Sequence, residues 1–157
     1  DRARQWLADL AANDPQIREN NMQIVVDVDE GRLDVGLVNH YYLYERAAEL
    51  GVSADQLTAR NYRFPDGDIG AMVNVSGVGV LAHAASDPDV LAFVEYLLSE
   101  AGQTYFAEQT SEYPTVAGVA LPAGLEPLAD LVTPDVNLND IDALEETVAM
   151  ITDAGLA

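Results

Sequence analysis

Apolar residues recur at helical spacing through the first dozen positions, where Trp6, Leu7 and Leu10 follow Arg2, and the pattern stops at the turn cluster Asn13-Asp14-Pro15. The spacing predicts a helix from Arg2 to Ala12. A second is predicted after Asn20-Asn21, where either asparagine can cap, with Ile24, Val25 and Val28 turned inward as far as Glu30-Gly31. The period then changes. Leu33-Asp34-Val35-Gly36-Leu37-Val38 reads as a short buried strand, and Leu43 to Leu50 as a helix ended by Gly51. Two more strands are predicted, over Leu57 to Tyr62 and Ala71 to Leu81, separated by the turn-rich Phe64-Pro65-Asp66-Gly67-Asp68. The second of these contains Gly77 and Gly79, which suggest a bend or a close backbone approach.

Ser86-Asp87-Pro88-Asp89 is a helix start, and Val90, Phe93, Val94, Leu97 and Leu98 fall on one face behind it. Another helix is expected from Ala101 to Glu108, with Gly102 as its weak point. From Pro114 to Pro134 small residues and prolines carry isolated apolar anchors, which suits a crossing segment. Asn139 or Asp140 is expected to cap a last helix through Leu144, Val148 and Ile151, ended by Gly155. Helices alternating with strands predict an α/β fold.

Against this pattern one stretch stands out. Val38-Asn39-His40-Tyr41-Tyr42 places two adjacent phenols where a strand hands over to a helix. Successive side chains diverge on a regular strand or helix, so an irregular junction is the place where two neighbouring rings can converge. A free phenol has a pKa of about 10 and ionises at neutral pH only beside strong positive charge. A hard trivalent cation such as Fe(III) supplies that charge, and phenolate oxygen is a hard anionic ligand. Asn39 and Asn21 are caps or turn residues, or else amides that hold an oxyanion completing a metal shell. His40, wedged between Asn39 and Tyr41, is expected to point elsewhere than at the metal. Tyr44 lies one helical turn from Tyr41 and is expected to pack against its helix. His83 is expected on the surface.

Composition narrows the chemistry. The 157 residues are 49% hydrophobic, enough for a sizeable core in one domain or in one and a part of another. A formal charge of −20, from 27 acidic against 7 basic residues, disfavours nucleic acid and anionic membrane surfaces as partners. The acidic residues are scattered and are expected mainly to solvate the surface. Cysteine is absent, so any metal site must use oxygen or imidazole. The chain starts at Asp1 with the helical pattern already under way, which is expected of a cut or processed end.

Other motifs are weak. Gly77-x-Gly79-x-x-Ala82 lacks a helix opening at its glycines, as dinucleotide binding requires. Asp27-x-Asp29 and Asp66-x-Asp68 begin like calcium loops but lack the glycine and glutamate those loops need.

Taken together, the motifs carry a resemblance. Asn13-Asp14-Pro15, Asn20-Asn21, Gly31 with Asp34 through Tyr42, Gly67-Asp68-Ile69-Gly70-Ala71, Asn74 through Leu81, Phe93 through Gln103, and Glu112-Tyr113-Pro114 run in order along the chain. In that order they resemble the C-terminal half of a bacterial ferric-iron-binding receptor of an ABC transporter. The resemblance implies a periplasmic-binding-protein-like, two-lobed α/β fold that closes over Fe(III) and delivers it to permease subunits. It implies Tyr41 and Tyr42 as iron ligands, and Asn21 and Asn39 as holders of a synergistic anion such as carbonate or phosphate. His40 stands where several anion-dependent relatives carry another asparagine, which assigns it to the surroundings of the metal and leaves the anion open. The family's other ligands, a histidine with a glutamate or a further tyrosine, would lie upstream of Asp1.

By the family's topology, residues 1–70 belong to the second lobe, 71–121 return to the first, and 122–157 form the crossing segment and final helix. The implied protein is periplasmic or otherwise extracytoplasmic, compatible with a lipid-anchored precursor, monomeric when complete, and not an enzyme. The rival readings are a receptor of the same fold for an oxyanion, a polyamine or another small molecule, and an α/β enzyme using a carboxylate near the tyrosines.

Overall fold

The computed structural model describes residues 2–157. Helix α1, Arg2–Ala12, ends where Asp14 takes a left-handed φ of 52°. Helix α2, Asn21–Asp29, is capped by Asn20, whose side chain accepts from the Gln23 amide at 2.9 Å; Asn21, the other candidate cap, is thereby left as the first helical residue. Helix α3, Tyr41–Leu50, stops at Gly51 in the left-handed conformation (φ 66°), as a glycine C-cap should. Helix α4, Pro88–Leu97, starts from the Asp87 cap with proline in its first turn, and α5, Glu100–Thr110, follows from the Ser99 cap. Helix α6, Leu144–Asp153, begins later than the asparagine pattern predicts. Asn137 instead caps a one-turn 3₁₀ helix, Leu138–Asp140, which uses up that signal.

Among the described residues no strand forms, so the three predicted strands, and with them the α/β alternation, are not seen. A buried strand exists only when a neighbour supplies its ladder hydrogen bonds, and the segments at 33–38, 57–62 and 71–81 find none in these residues. Apolar side chains of the first and third stay open, with Val35 77% exposed, Leu81 67% and Val75 59%, while Leu57 and Ala59 of the second are buried without forming a strand.

The core lies where α2, α3 and the 3₁₀ turn Ala54–Gln56 meet. Leu43 and Ala47 on one face of α3 are buried with Leu57 and Ala59, and Val28 and Ala54 pack against them. Ion pairs brace this unit. Asp29 at the end of α2 accepts the Thr58 amide at 2.8 Å and the Ala59 amide at 3.3 Å, and faces Arg46 of α3 at 3.5 Å. Asp27 is held between Arg18 and Arg32, each at 2.6 Å. These partners also explain why Asp27-x-Asp29 is no calcium site: both carboxylates are used inside the fold.

Helices α4 and α5 form a tight pair around Gly102. A Cβ at that position would stand 2.3 Å from the Tyr96 carbonyl oxygen and 3.1 Å from the Leu97 Cα, so the expected weak point is a close helix approach. Beside it, buried Gln103 donates to the Leu97 carbonyl at 2.9 Å and accepts from the Thr115 amide at 2.7 Å. Gln103 thus pins the segment after α5, residues 111–115, back onto the helix pair.

Candidate metal centre

Tyr41 and Tyr42 open α3 rather than preceding it. They converge nonetheless, with ring centroids 4.6 Å apart and planes at 42°. First-turn side chains have no preceding helical turn beneath them, so their rings can lean together without a clash. The pair does not sit in an irregular turn, as expected, but in the first turn of α3, where the rings still come together.

Each neighbour of the pair has a defined place. Asn39 donates its side-chain amide to the Tyr41 hydroxyl at 3.0 Å. Asn21, Tyr42, Glu45 and Glu49 line one open cavity of about 590 Å³, together with Arg18 and Asn20. Asn21 from the start of α2 and Tyr42 from the start of α3 therefore face common space. His40 bonds outside the pair: its Nε2 lies 3.0 Å from the Ser111 carbonyl oxygen. Tyr44, expected to pack against its own helix, instead donates to the Gly124 carbonyl at 3.2 Å, 80 positions downstream. His83 is exposed in a 3₁₀ turn, Ala82–Ala84, remote in the chain from these residues.

The electrostatics of Tyr41 are balanced between opposing neighbours. The Asn39 amide favours its phenolate, but the Tyr42 hydroxyl, burial and the nearby Glu112 carboxylate together outweigh it and raise the pKa above the ordinary phenol value. Burial first, then Tyr44 and Glu126, likewise push Tyr113 up. Without a cation the Tyr41 phenol is therefore protonated at neutral pH. A metal ion taken up by these oxygens must displace protons, and only a cation of high charge does so readily at neutral pH.

Sequence reasoning did not place Ser111, Glu112, Tyr113 or Asn61 at this site. The His40 and Tyr113 rings lie 5.4 Å apart, and the Asn61 amide donates to the His40 carbonyl at 3.0 Å. Glu112-Tyr113-Pro114 did figure among the motifs of the resemblance, yet nothing in its spacing signals contact with residues 71 positions earlier. Among the described residues no three His, Cys, Asp or Glu side chains form a metal-binding group. The phenols are thus the metal-competent donors that this region brings together. Among the described residues no helix is long and apolar enough to cross a membrane.

No family model matches the chain. Curated relatives do. The chain is 30% identical over 152 residues to the "Fe(3+)-binding periplasmic protein" of Serratia marcescens, covering 96% of the chain and 44% of the relative. It is 35% identical over 144 residues to "Iron uptake protein A2" of a Synechocystis species, covering 88% and 41%. It is 29% identical over 154 residues to the "Major ferric iron-binding protein" of Neisseria meningitidis, covering 98% and 46%. The family resemblance drawn from the motifs is thus matched along nearly the whole chain, which spans a little under half the length of these relatives.

Proposed function

We propose, from a chain related over nearly its whole length to ferric-iron-binding periplasmic proteins, that it forms part of an extracytoplasmic receptor for Fe(III). Tyr41 and Tyr42 bind the ion as phenolates. Asn39 steadies the Tyr41 oxygen, and Asn21, across the shared cavity, holds a synergistic oxyanion with it. The observation that carries this reading is the convergence of two adjacent phenol rings at 4.6 Å beside a cavity that Asn21 also lines.

The chemistry follows from charge. With its pKa raised, the Tyr41 phenol stays neutral and binds divalent ions poorly. Fe(III) lowers the pKa of a coordinated phenol, releases its proton, and forms hard oxygen bonds in return. An oxyanion between the amides and the ion would neutralise part of its remaining charge. The acidic surface, at −20, also favours accumulation of a cation.

In this reading, residues 1–70 belong to one lobe of a two-lobed receptor, 71–121 return to the other, and 122–157 cross between them. Closure of the lobes over the ion would give the permease one arrangement to recognise. The protein carries iron and performs no catalysis on it.

The test is a titration of the complete natural protein with ferric nitrilotriacetate. Tyrosinate bound to Fe(III) gives a visible charge-transfer band, and replacing both Tyr41 and Tyr42 by Phe should abolish it. Natively folded protein without a band would remove the iron reading and leave an organic or oxyanion ligand for the cavity.

A further inference from the structure

We propose that His40 is a positioning residue for the tyrosine pair: by bonding the Ser111 carbonyl it fixes the entrance of α3 and so the geometry at which Tyr41 and Tyr42 meet a cation. The inference rests on the metal-binding reading above.

The entrance of α3 is poorly held by local structure. His40 occupies the cap position with helical dihedrals (φ −57°, ψ −34°) and makes no side-chain cap bond. The first backbone bonds are long, 3.3 Å from the Tyr42 amide to the Asn39 carbonyl and 3.4 Å from the Leu43 amide to the His40 carbonyl. A helix start without a cap frays, and fraying here would move both phenols.

Two distant segments converge on His40 instead. Its ring Nε2 is 3.0 Å from the Ser111 carbonyl, and Asn61 donates to its backbone carbonyl at 3.0 Å. The imidazole sits between aromatic neighbours, 5.6 Å from the Tyr41 ring at 78° and 5.4 Å from Tyr113 at 50°. Ser111 ends α5 in a left-handed conformation (φ 55°) rare for a residue with a side chain, and the segment it opens is pinned by Gln103. The anchor is therefore a built feature of the α5 terminus.

A carbonyl oxygen only accepts, so this contact places the proton on Nε2. Nε2 cannot then be a metal ligand while the contact persists. His40 acts on the metal through the backbone it shares with Tyr41.

Three variants of the complete protein separate the possibilities when titrated with ferric nitrilotriacetate beside the wild type. His40→Phe keeps a ring between Tyr41 and Tyr113 but removes the N–H. His40→Gln puts an amide N–H at a similar reach. Asn61→Ala removes the second anchor and carries the same expectation should the Phe variant not fold. We expect His40→Phe to keep a tyrosinate band with a shifted maximum and to release iron about tenfold faster, the loss of one positioning hydrogen bond, with His40→Gln returning both toward wild type.

A lowered melting temperature with band and release rate unchanged would overturn the inference, since stability alone would then be at stake. Loss of the band as complete as in the Tyr41→Phe, Tyr42→Phe double variant would also overturn it, making His40 a ligand. A wild type without a band removes the metal reading itself; a wild-type band matched in every respect by His40→Phe removes this inference alone.

Discussion

The side-chain amide of Asn39 donates to the Tyr41 hydroxyl at 3.0 Å, two residues away across the turn into α3. The donor reaches the oxygen that would bind a metal, so the bond strengthens as that oxygen becomes a phenolate. Its influence on Tyr41 opposes that of Tyr42, burial and Glu112. Asn39→Ala should therefore raise the Tyr41 pKa further and weaken Fe(III) binding. A hydrogen bond to a charged oxygen contributes about 1.5–3 kcal/mol, which corresponds to a loss of roughly 10- to 100-fold in affinity. Competition against citrate measures it, and an affinity within twofold of wild type would show that the amide does not act on the bound state.

The contrast between the two partners of Tyr41 shows what a sequence can disclose. Asn39 is two positions away, so its nearness to the tyrosines was legible from spacing, though its bond to the Tyr41 hydroxyl was not. Glu112 acts on the same phenol from 71 positions downstream, and no periodicity carries that information. The helices were legible for the same local reason: the runs at Arg2–Ala12 and Asn21–Asp29 carry their own apolar spacing, and Asn20 and Gly51 their own end signals. The run at 33–38 was read as a strand on composition, but a strand is a statement about two segments, and the partner is not written in either. Gly102 failed in the opposite direction. Its propensity marks a weak helix, whereas its contact with the Tyr96 carbonyl makes the missing side chain a requirement.

That contact gives a sign reversal. In an open helix Gly→Ala stabilises by up to about 1 kcal/mol. At Gly102 the added Cβ would meet backbone atoms of α4 at 2.3 and 3.1 Å, and backbone cannot swing aside as a side chain does. Forced separation of the helix pair costs roughly 1–3 kcal/mol, so Gly102→Ala should lower the melting temperature by several degrees. Thermal unfolding followed by circular dichroism decides it; a raised melting temperature would mean that the helices part freely.

Acid should unfold the protein through α2. The hydrogen bonds from Arg18 and then Arg32 hold the Asp27 carboxyl below its ordinary pKa, and the amides of Thr58 and Ala59 with Arg46 do the same for Asp29 against the desolvation that opposes them. A carboxylate with a lowered folded-state pKa stabilises fully above its unfolded value, about 4, and loses that contribution as pH falls through the folded value. The melting temperature should therefore hold from pH 7 to about 5 and drop below about 4. Asp27→Asn should melt lower at pH 7 and decline less steeply below about pH 4, with Asp29 supplying the remaining slope. Parallel curves for variant and wild type would show that Asp27 is not a source of the acid sensitivity.

The donor set also bounds what these 157 residues can do alone. Fe(III) takes about six ligands, and two phenolates would fill two positions. No group of three His, Cys, Asp or Glu side chains completes the shell among the described residues. An oxyanion held by Asn21 and Asn39 could add one or two more oxygens, and water would take the rest. Ligands held by water and chelator exchange quickly, so the metal should be lost to competing citrate. The isolated 157-residue chain should accordingly show a weak tyrosinate band with excess ferric nitrilotriacetate and lose it on desalting. Retention of one iron per chain through desalting into citrate would demand further strong donors, and Glu112 and Tyr113 would be the first to replace by Gln and Phe.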